Sequence, residues 1–135
     1  MSNETPLDAP PRPCRILLVD DHADSVDLLR MLLMRRGFEV SLARSVAAAL
    51  AAAEAGPVDV LVSDIGLPDG SGCDLLRQLR ARAPAAVPAL PAIALSGLDR
   101  VADVERAREA GFDEYLAKPV AIAQLVEALR RVSPR

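Results

Sequence analysis

Arg15-Ile16-Leu17-Leu18-Val19-Asp20-Asp21 runs four aliphatic residues straight into two carboxylates. A short run that is apolar at successive positions reads as a strand buried on both faces, the pattern of a parallel sheet. The same arrangement returns twice. Val58–Ser63 leads into Asp64, and Glu114–Ala117 leads into Lys118-Pro119. Charged groups therefore stand at the carboxyl ends of several apolar strands, where a parallel sheet places its ligand.

Outward from these runs, strands and helices alternate. The strand candidates are Arg15–Asp20, Glu39–Ala43, Val58–Ser63, Pro91–Ser96 and Glu114–Ala117. The helix candidates between and after them are Asp24–Arg36, Val46–Ala55, Ser71–Arg82, Arg100–Ala110 and Ile122–Val132. Val26, Leu29 and Leu33 recur at helical spacing, and Gly37 is placed to stop that helix. Ser45 is the expected N-cap of the second helix, with Gly56-Pro57 ending it. Asp99 is the expected cap of the fourth, which Gly111 ends. Ile122, Leu125, Val126, Leu129 and Val132 form one apolar stripe on the last. Pro84 and Pro88 make Ala83–Leu90 a loop. Five β-then-α units predict a doubly wound α/β domain, its parallel sheet covered by helices on both sides.

Composition narrows the class. A chain of 135 residues is one domain with room for a core, which must be mostly aliphatic because aromatics are 2%. No apolar run is long enough to span a membrane, and Met1–Pro13 lacks the pattern of a signal peptide. With its four prolines, that first stretch is expected to be a disordered tail or linker, leaving residues 14–135 as the domain. A net charge of −3, with arginine and glutamate mixed along the helices, gives no basic face for nucleic acid. Cys14 and Cys73 are too few for a disulfide framework and read as reduced thiols of a cytoplasmic protein.

The chemistry lies in Asp20, Asp21, Asp64, Ser96 and Lys118. Three carboxylates brought together oppose one another's ionisation unless a cation neutralises them. A hard divalent ion with oxygen ligands fits, which favours Mg²⁺. Lys118 adds a compact positive charge for a phosphoryl oxygen, and Ser96 a hydroxyl donor. Asp64 can then act as the nucleophile of an in-line phosphoryl transfer. Taken singly, an aspartate after a strand is as often a turn or cap residue. Tyr115 alone is a partly buried aromatic, and Gly70 and Gly72 are turn glycines. His22, the only histidine, falls in a loop beside the acidic pair; it is expected to be exposed and at most to tune entry to the site.

Four motifs in order carry a resemblance: Leu18-Val19-Asp20-Asp21; Asp64-Ile65-Gly66-Leu67-Pro68-Asp69-Gly70-Ser71-Gly72; Ala94-Leu95-Ser96-Gly97; and Gly111-Phe112-Asp113-Glu114-Tyr115-Leu116-Ala117-Lys118-Pro119. From Arg15 to Val132 the chain resembles the receiver domains of bacterial two-component response regulators. The resemblance implies a flavodoxin-like (βα)5 fold with strand order 2-1-3-4-5. It implies that Asp64 accepts a phosphoryl group from a phosphohistidine on a histidine kinase or histidine phosphotransfer protein. Asp21, Asp64 and the Gly66 backbone carbonyl would hold Mg²⁺, with Asp20 acting through water. Lys118 would pair with Asp64 and then with the phosphoryl group, and Pro119 would follow a cis peptide bond. Ser96 and Tyr115 would shift together and alter the surface of the fourth helix, fifth strand and fifth helix. Such a domain is a phosphoacceptor that catalyses its own phosphotransfer and dephosphorylation; it is not an enzyme acting on a separate substrate.

Other classes fit less well. A phosphatase of the haloacid dehalogenase type wants an aspartate at position 66, where Gly66 stands, and a flavodoxin wants a neutral phosphate loop where Asp20-Asp21-His22 stands. No P-loop motif is present. The rival is a receiver-like interaction module that works without phosphorylation, whose usual mark is loss of an acidic residue or the lysine. Two parent architectures stay open, a single-domain regulator and the receiver portion of a hybrid histidine kinase. Lys118-Pro119-Val120 leans toward the second, and Val120, where DNA-binding regulators carry an aromatic, points to a monomer. Gly66 has no side chain to shield the phosphoryl group, so an open site is expected.

Overall fold

The computed structural model describes residues 13–82, 90–97 and 101–132. The expectations for Met1–Pro13 (all but Pro13), for Asp99 as a cap and for most of the Ala83–Leu90 loop lie outside them. The elements run β1 (Arg15–Val19), α1 (Ala23–Arg35), β2 (Glu39–Ala43), α2 (Val46–Ala55), β3 (Val60–Asp64), β4 (Gly66–Leu67), β5 (Gly70–Ser71), α3 (Gly72–Arg82), β6 (Ala92–Ser96), α4 (Val101–Ala110), β7 (Glu114–Ala117) and α5 (Ile122–Val132). The main sheet is parallel with order β2-β1-β3-β6-β7, the 2-1-3-4-5 order once the small β4–β5 hairpin is set aside.

Alternation along the strands sorts the core into two layers. Leu17, Val19, Leu61, Ala92 and Ala94 face α2, α3 and α4, packing with Ala49, Leu75, Leu76, Leu79 and Ala107. Ile16, Leu18, Val60, Val62, Ile93 and Leu95 face α1 and α5, packing with Val26, Leu33, Leu125 and Leu129. Each fully buried leucine contributes roughly 2 kcal/mol of transfer free energy, and the central strands β1, β3 and β6 are buried along nearly their whole length because both faces are covered. Cys73 is buried in the first layer, and neither Cys14 nor Cys73 is in a disulfide.

Local chemistry sets the ends of these elements. Gly37 takes φ +94° as α1 stops, a left-handed conformation that glycine adopts without penalty. Ser45 Oγ accepts the Ala48 amide at 3.0 Å, capping α2. Helix α3 begins one residue later than expected, because Ser71 stays in β5 and its hydroxyl caps the helix by accepting the Asp74 amide at 3.1 Å. Strand β3 starts at Val60, two residues later than expected. Asp59 Oδ2 accepts the Arg15 amide at 2.9 Å, so a side chain takes the place of a strand carbonyl there. At its other end β3 includes Asp64, whose register partner is Leu95. The β4–β5 hairpin is additional to the expected elements, since two-residue strands carry no periodic signal.

Candidate functional site: carboxylates and an ammonium at the sheet edge

The strand register builds the site. Val19 pairs with Ser63, Asp64 with Leu95, and Ser96 with Ala117. Asp20, Asp64, Ser96 and Lys118 therefore emerge together at the carboxyl edge of adjacent strands. The Asp20 amide donates to the Ala43 carbonyl at 3.0 Å, and the Lys118 amide to the Ser96 carbonyl at 2.8 Å, which extends the ladder through both charged residues. The Lys118–Pro119 peptide bond is cis.

The side chains converge around one ammonium. Lys118 Nζ lies 2.7 Å from Asp20 Oδ2 and 2.9 Å from Asp64 Oδ2. Asp20 and Asp64 are buried, at 3% and 6% exposure, whereas Asp21 is exposed. Burial pushes the Asp20 carboxyl up, but hydrogen bonds from Lys118 and from the backbone and ring of His22 outweigh it and hold the group below its ordinary value. Burial likewise pulls the Lys118 ammonium down, and its bonds to Asp20 and Asp64 more than reverse this. Carboxylate oxygens of Asp20, Asp21 and Asp64 and a ring nitrogen of His22 all lie within 4.8 Å of one another. Three carboxylates against one ammonium leave two negative charges, which a divalent cation would balance.

Beside this cluster is an open cleft of about 820 Å³, lined by Asp64, Gly66, Ser96, Gly97, Arg106 and Lys118 among others. Ser96 is buried, and Tyr115, half-buried on the neighbouring strand, packs against the first core layer. Gly66 is exposed, and a Cβ built there meets nothing within 4 Å, so the acceptor side of the cleft is open. A smaller pocket of about 210 Å³ lies behind, where Leu28, Leu29, Leu32 and Val120 approach Asp20 and Lys118.

Three features were not legible in the sequence. Asp69, within a turn-like Pro-Asp-Gly, reaches across to α2, where its carboxylate accepts the Val46 amide at 2.7 Å and the Ala47 amide at 3.1 Å. These bonds hold its carboxyl below the ordinary value. Gly72 is more than a turn residue, because a Cβ on it would overlap the Asp64 carbonyl oxygen and crowd Ser63 Oγ at 2.9 Å. His22 is exposed as expected, yet its Nδ1 lies 2.9 Å from Asp20 Oδ1, 3.4 Å from Asp21 Oδ1 and 3.8 Å from Asp64 Oδ2. It belongs to the cluster and does not merely border it.

Residues 16–130 match the family described as the response regulator receiver domain. The chain belongs to that family. As a receiver domain it resembles the probable transcriptional regulatory protein TcrX of Mycobacterium tuberculosis, with 36% identity over 92% of this chain and 51% of TcrX. It spans about half the length of the transcriptional regulators it matches. Among solved structures, a putative response regulator from Chloroflexus aurantiacus superposes with a TM-score of 0.83 at 30% identity, covering 92% of this chain and 100% of that one. The chemotaxis response regulator CheY4 of Vibrio cholerae superposes with a TM-score of 0.80 at 25% identity, covering 90% and 99% respectively. The receiver domain is thus a unit of two-component phosphorelay signalling. No helix among the described residues is long and apolar enough to cross a membrane.

Proposed function

We propose that this receiver domain accepts a phosphoryl group on Asp64 from a phosphohistidine of a histidine kinase or a histidine phosphotransfer protein. The observation that carries the reading is Asp64 itself, a 6% exposed carboxylate opening into the cleft with its Oδ2 held by Lys118. One Asp64 carboxylate oxygen forms the new bond to phosphorus as the bond to the histidine nitrogen breaks, leaving a neutral imidazole on the donor after proton uptake. Lys118, bridging Asp20 and Asp64, is placed to follow the charge onto a phosphoryl oxygen. Asp21, Asp64 and the Gly66 carbonyl would hold Mg²⁺, with Asp20 acting through water, and the ion would supply charge neutralisation at the phosphoryl oxygens.

The output is a shift between two packings. Ser96 turns its hydroxyl to the phosphoryl group, and Tyr115 moves inward into the space released, changing the surface of α4, β7 and α5. The buried Ser96 and half-buried Tyr115 on adjacent strands support this coupling. Leu28, about half exposed on α1 and lining the pocket that Asp20 and Lys118 also line, offers apolar surface for the phosphohistidine partner. Residues 14–135 form the receiver unit, with Met1–Pro13 a tail or linker to it, and the domain works in the cytoplasm as a monomer. It acts by protein contact, within a single-domain regulator or a hybrid histidine kinase. Transfer of ³²P from a phosphorylated histidine kinase to the wild-type domain, but not to Asp64→Asn, tests the reading. Label reaching the Asp64→Asn variant equally would refute it.

A further inference from the structure

We infer that His22 is a nitrogen ligand of the divalent-cation site and gives that site a preference for imidazole-binding transition metals over Mg²⁺. The inference rests on the cation site proposed above and names a residue that an all-oxygen site would not use. Its basis is where Nδ1 lies. The atom is 2.9, 3.4 and 3.8 Å from one oxygen each of Asp20, Asp21 and Asp64. Ligands about 2.1 Å from one ion lie roughly 3 Å apart when adjacent and about 4.2 Å apart when opposite. The separations to Asp21 and Asp64, the two carboxylates that would hold the ion directly, fall within that range, so the nitrogen stands at a corner of their coordination shell. The 2.9 Å contact to Asp20, which acts through water, is a hydrogen bond.

The oxygens divide in a way that leaves this corner open. Lys118 takes Oδ2 of Asp20 and Oδ2 of Asp64, while the ring nitrogen faces Oδ1 of Asp20 and Oδ1 of Asp21. The His22 backbone is held beside the cluster, because its amide also donates to Asp20 Oδ1 at 2.9 Å and its carbonyl accepts the Val26 amide at the start of α1. Lys118 Nζ lies 3.3 Å from the same nitrogen. With no ion bound Nδ1 carries the ring proton and donates to Asp20 Oδ1; with that proton on Nε2 instead, the Nδ1 lone pair is available to an ion. The ring is 65% exposed, so an entering ion meets it before it meets the buried carboxylates. Imidazole favours Co²⁺, Ni²⁺ and Zn²⁺, whereas Mg²⁺ prefers oxygen, so the nitrogen raises affinity selectively.

The test is calorimetric titration of untagged protein with Co²⁺ and, separately, Mg²⁺, using wild type, His22→Ala and Asp21→Asn. Because His22 is the only histidine, the ring signals of ¹⁵N-histidine-labelled protein report on it alone. We expect His22→Ala to weaken Co²⁺ at least tenfold with Mg²⁺ changed less than twofold, Asp21→Asn to weaken both, and Co²⁺ to shift the ring signals strongly. Equal loss of both ions in His22→Ala, or unshifted ring signals with Co²⁺ bound, would overturn the ligand assignment while leaving the cation site intact. No Mg²⁺ binding by wild type would overturn the cation site and the inference with it.

Discussion

Lys118 Nζ sits closer to Asp20 Oδ2, at 2.7 Å, than to the proposed acceptor, Asp64 Oδ2, at 2.9 Å. One ammonium therefore pairs with two buried carboxylates from neighbouring strands, and Asp20 is as much its partner as Asp64. The Asp20 carboxyl is held low and the Lys118 ammonium high. Asp20 accordingly contributes stability above its unfolded value near 3.8, lost as pH falls through the lower folded value. Lys118 contributes below 10.5, lost as pH rises through its higher folded value.

Removing the lysine exposes the cost. Lys118→Met leaves Asp20 and Asp64 buried and uncompensated, at the edge of a cleft that admits some water. We expect a loss on the order of 2 kcal/mol at neutral pH by urea denaturation without divalent ions. The deficit should shrink as pH falls, because Asp20 without the ammonium that holds it low takes up a proton more readily than in the wild type. Loss independent of pH would contradict the electrostatic account.

Gly72 and Gly66 should respond oppositely to the same change. Gly72→Ala drives a methyl into the Asp64 carbonyl and should cost about 2 kcal/mol. Gly66→Ala meets open space and should leave stability near wild type. At Gly66 the larger side chains of Gly66→Asn or Gly66→Met should shield the phosphoryl group and slow its hydrolysis several-fold. An unchanged dephosphorylation rate in these variants would count against an open site.

Asp69 ties the loop carrying Gly66 to the start of α2. Asp69→Ala should lower the denaturation midpoint and weaken Mg²⁺ binding, while Asp69→Asn, which keeps one acceptor oxygen, should retain more of both. Because the folded carboxyl is held below its ordinary value, its contribution is present above about 3.8 and fades as pH falls below it. Identical behaviour of the two variants would show that capping is not what the residue does.

Tyr115 offers an optical reading of the switch, since it is the only tyrosine and there is no tryptophan. Phosphorylation should change tyrosine fluorescence in the wild type and leave it unchanged in Ser96→Ala. A full change in Ser96→Ala would uncouple the two residues.

Much of this was readable in the chain, and the physical reasons differ by element. Strands buried on both faces declare themselves as aliphatic runs, so Ile16–Val19 and the charges after it gave both the sheet and its ligand-binding edge. Helix α1 was legible from Val26, Leu29 and Leu33 and from the stop at Gly37. What stayed hidden were contacts between residues far apart in sequence. The Asp69 carboxylate finds amides 23 and 22 residues away, and nothing in Pro68-Asp69-Gly70 announces them. The fit of Gly72 against Asp64 depends on a close backbone approach that no periodicity encodes. His22 lay beside the acidic pair in the sequence, but only the turn into α1 brings its ring over all three carboxylates.

The most direct test of the central claim is intact-mass analysis after incubation with acetyl phosphate and Mg²⁺, with phosphorylated histidine kinase as a second donor. The wild-type domain should gain about 80 Da, one phosphoryl group, and the gain should vanish in Asp64→Asn and with chelator. A gain that persists in Asp64→Asn, or no gain by wild type from either donor, would contradict Asp64 as the phosphoacceptor.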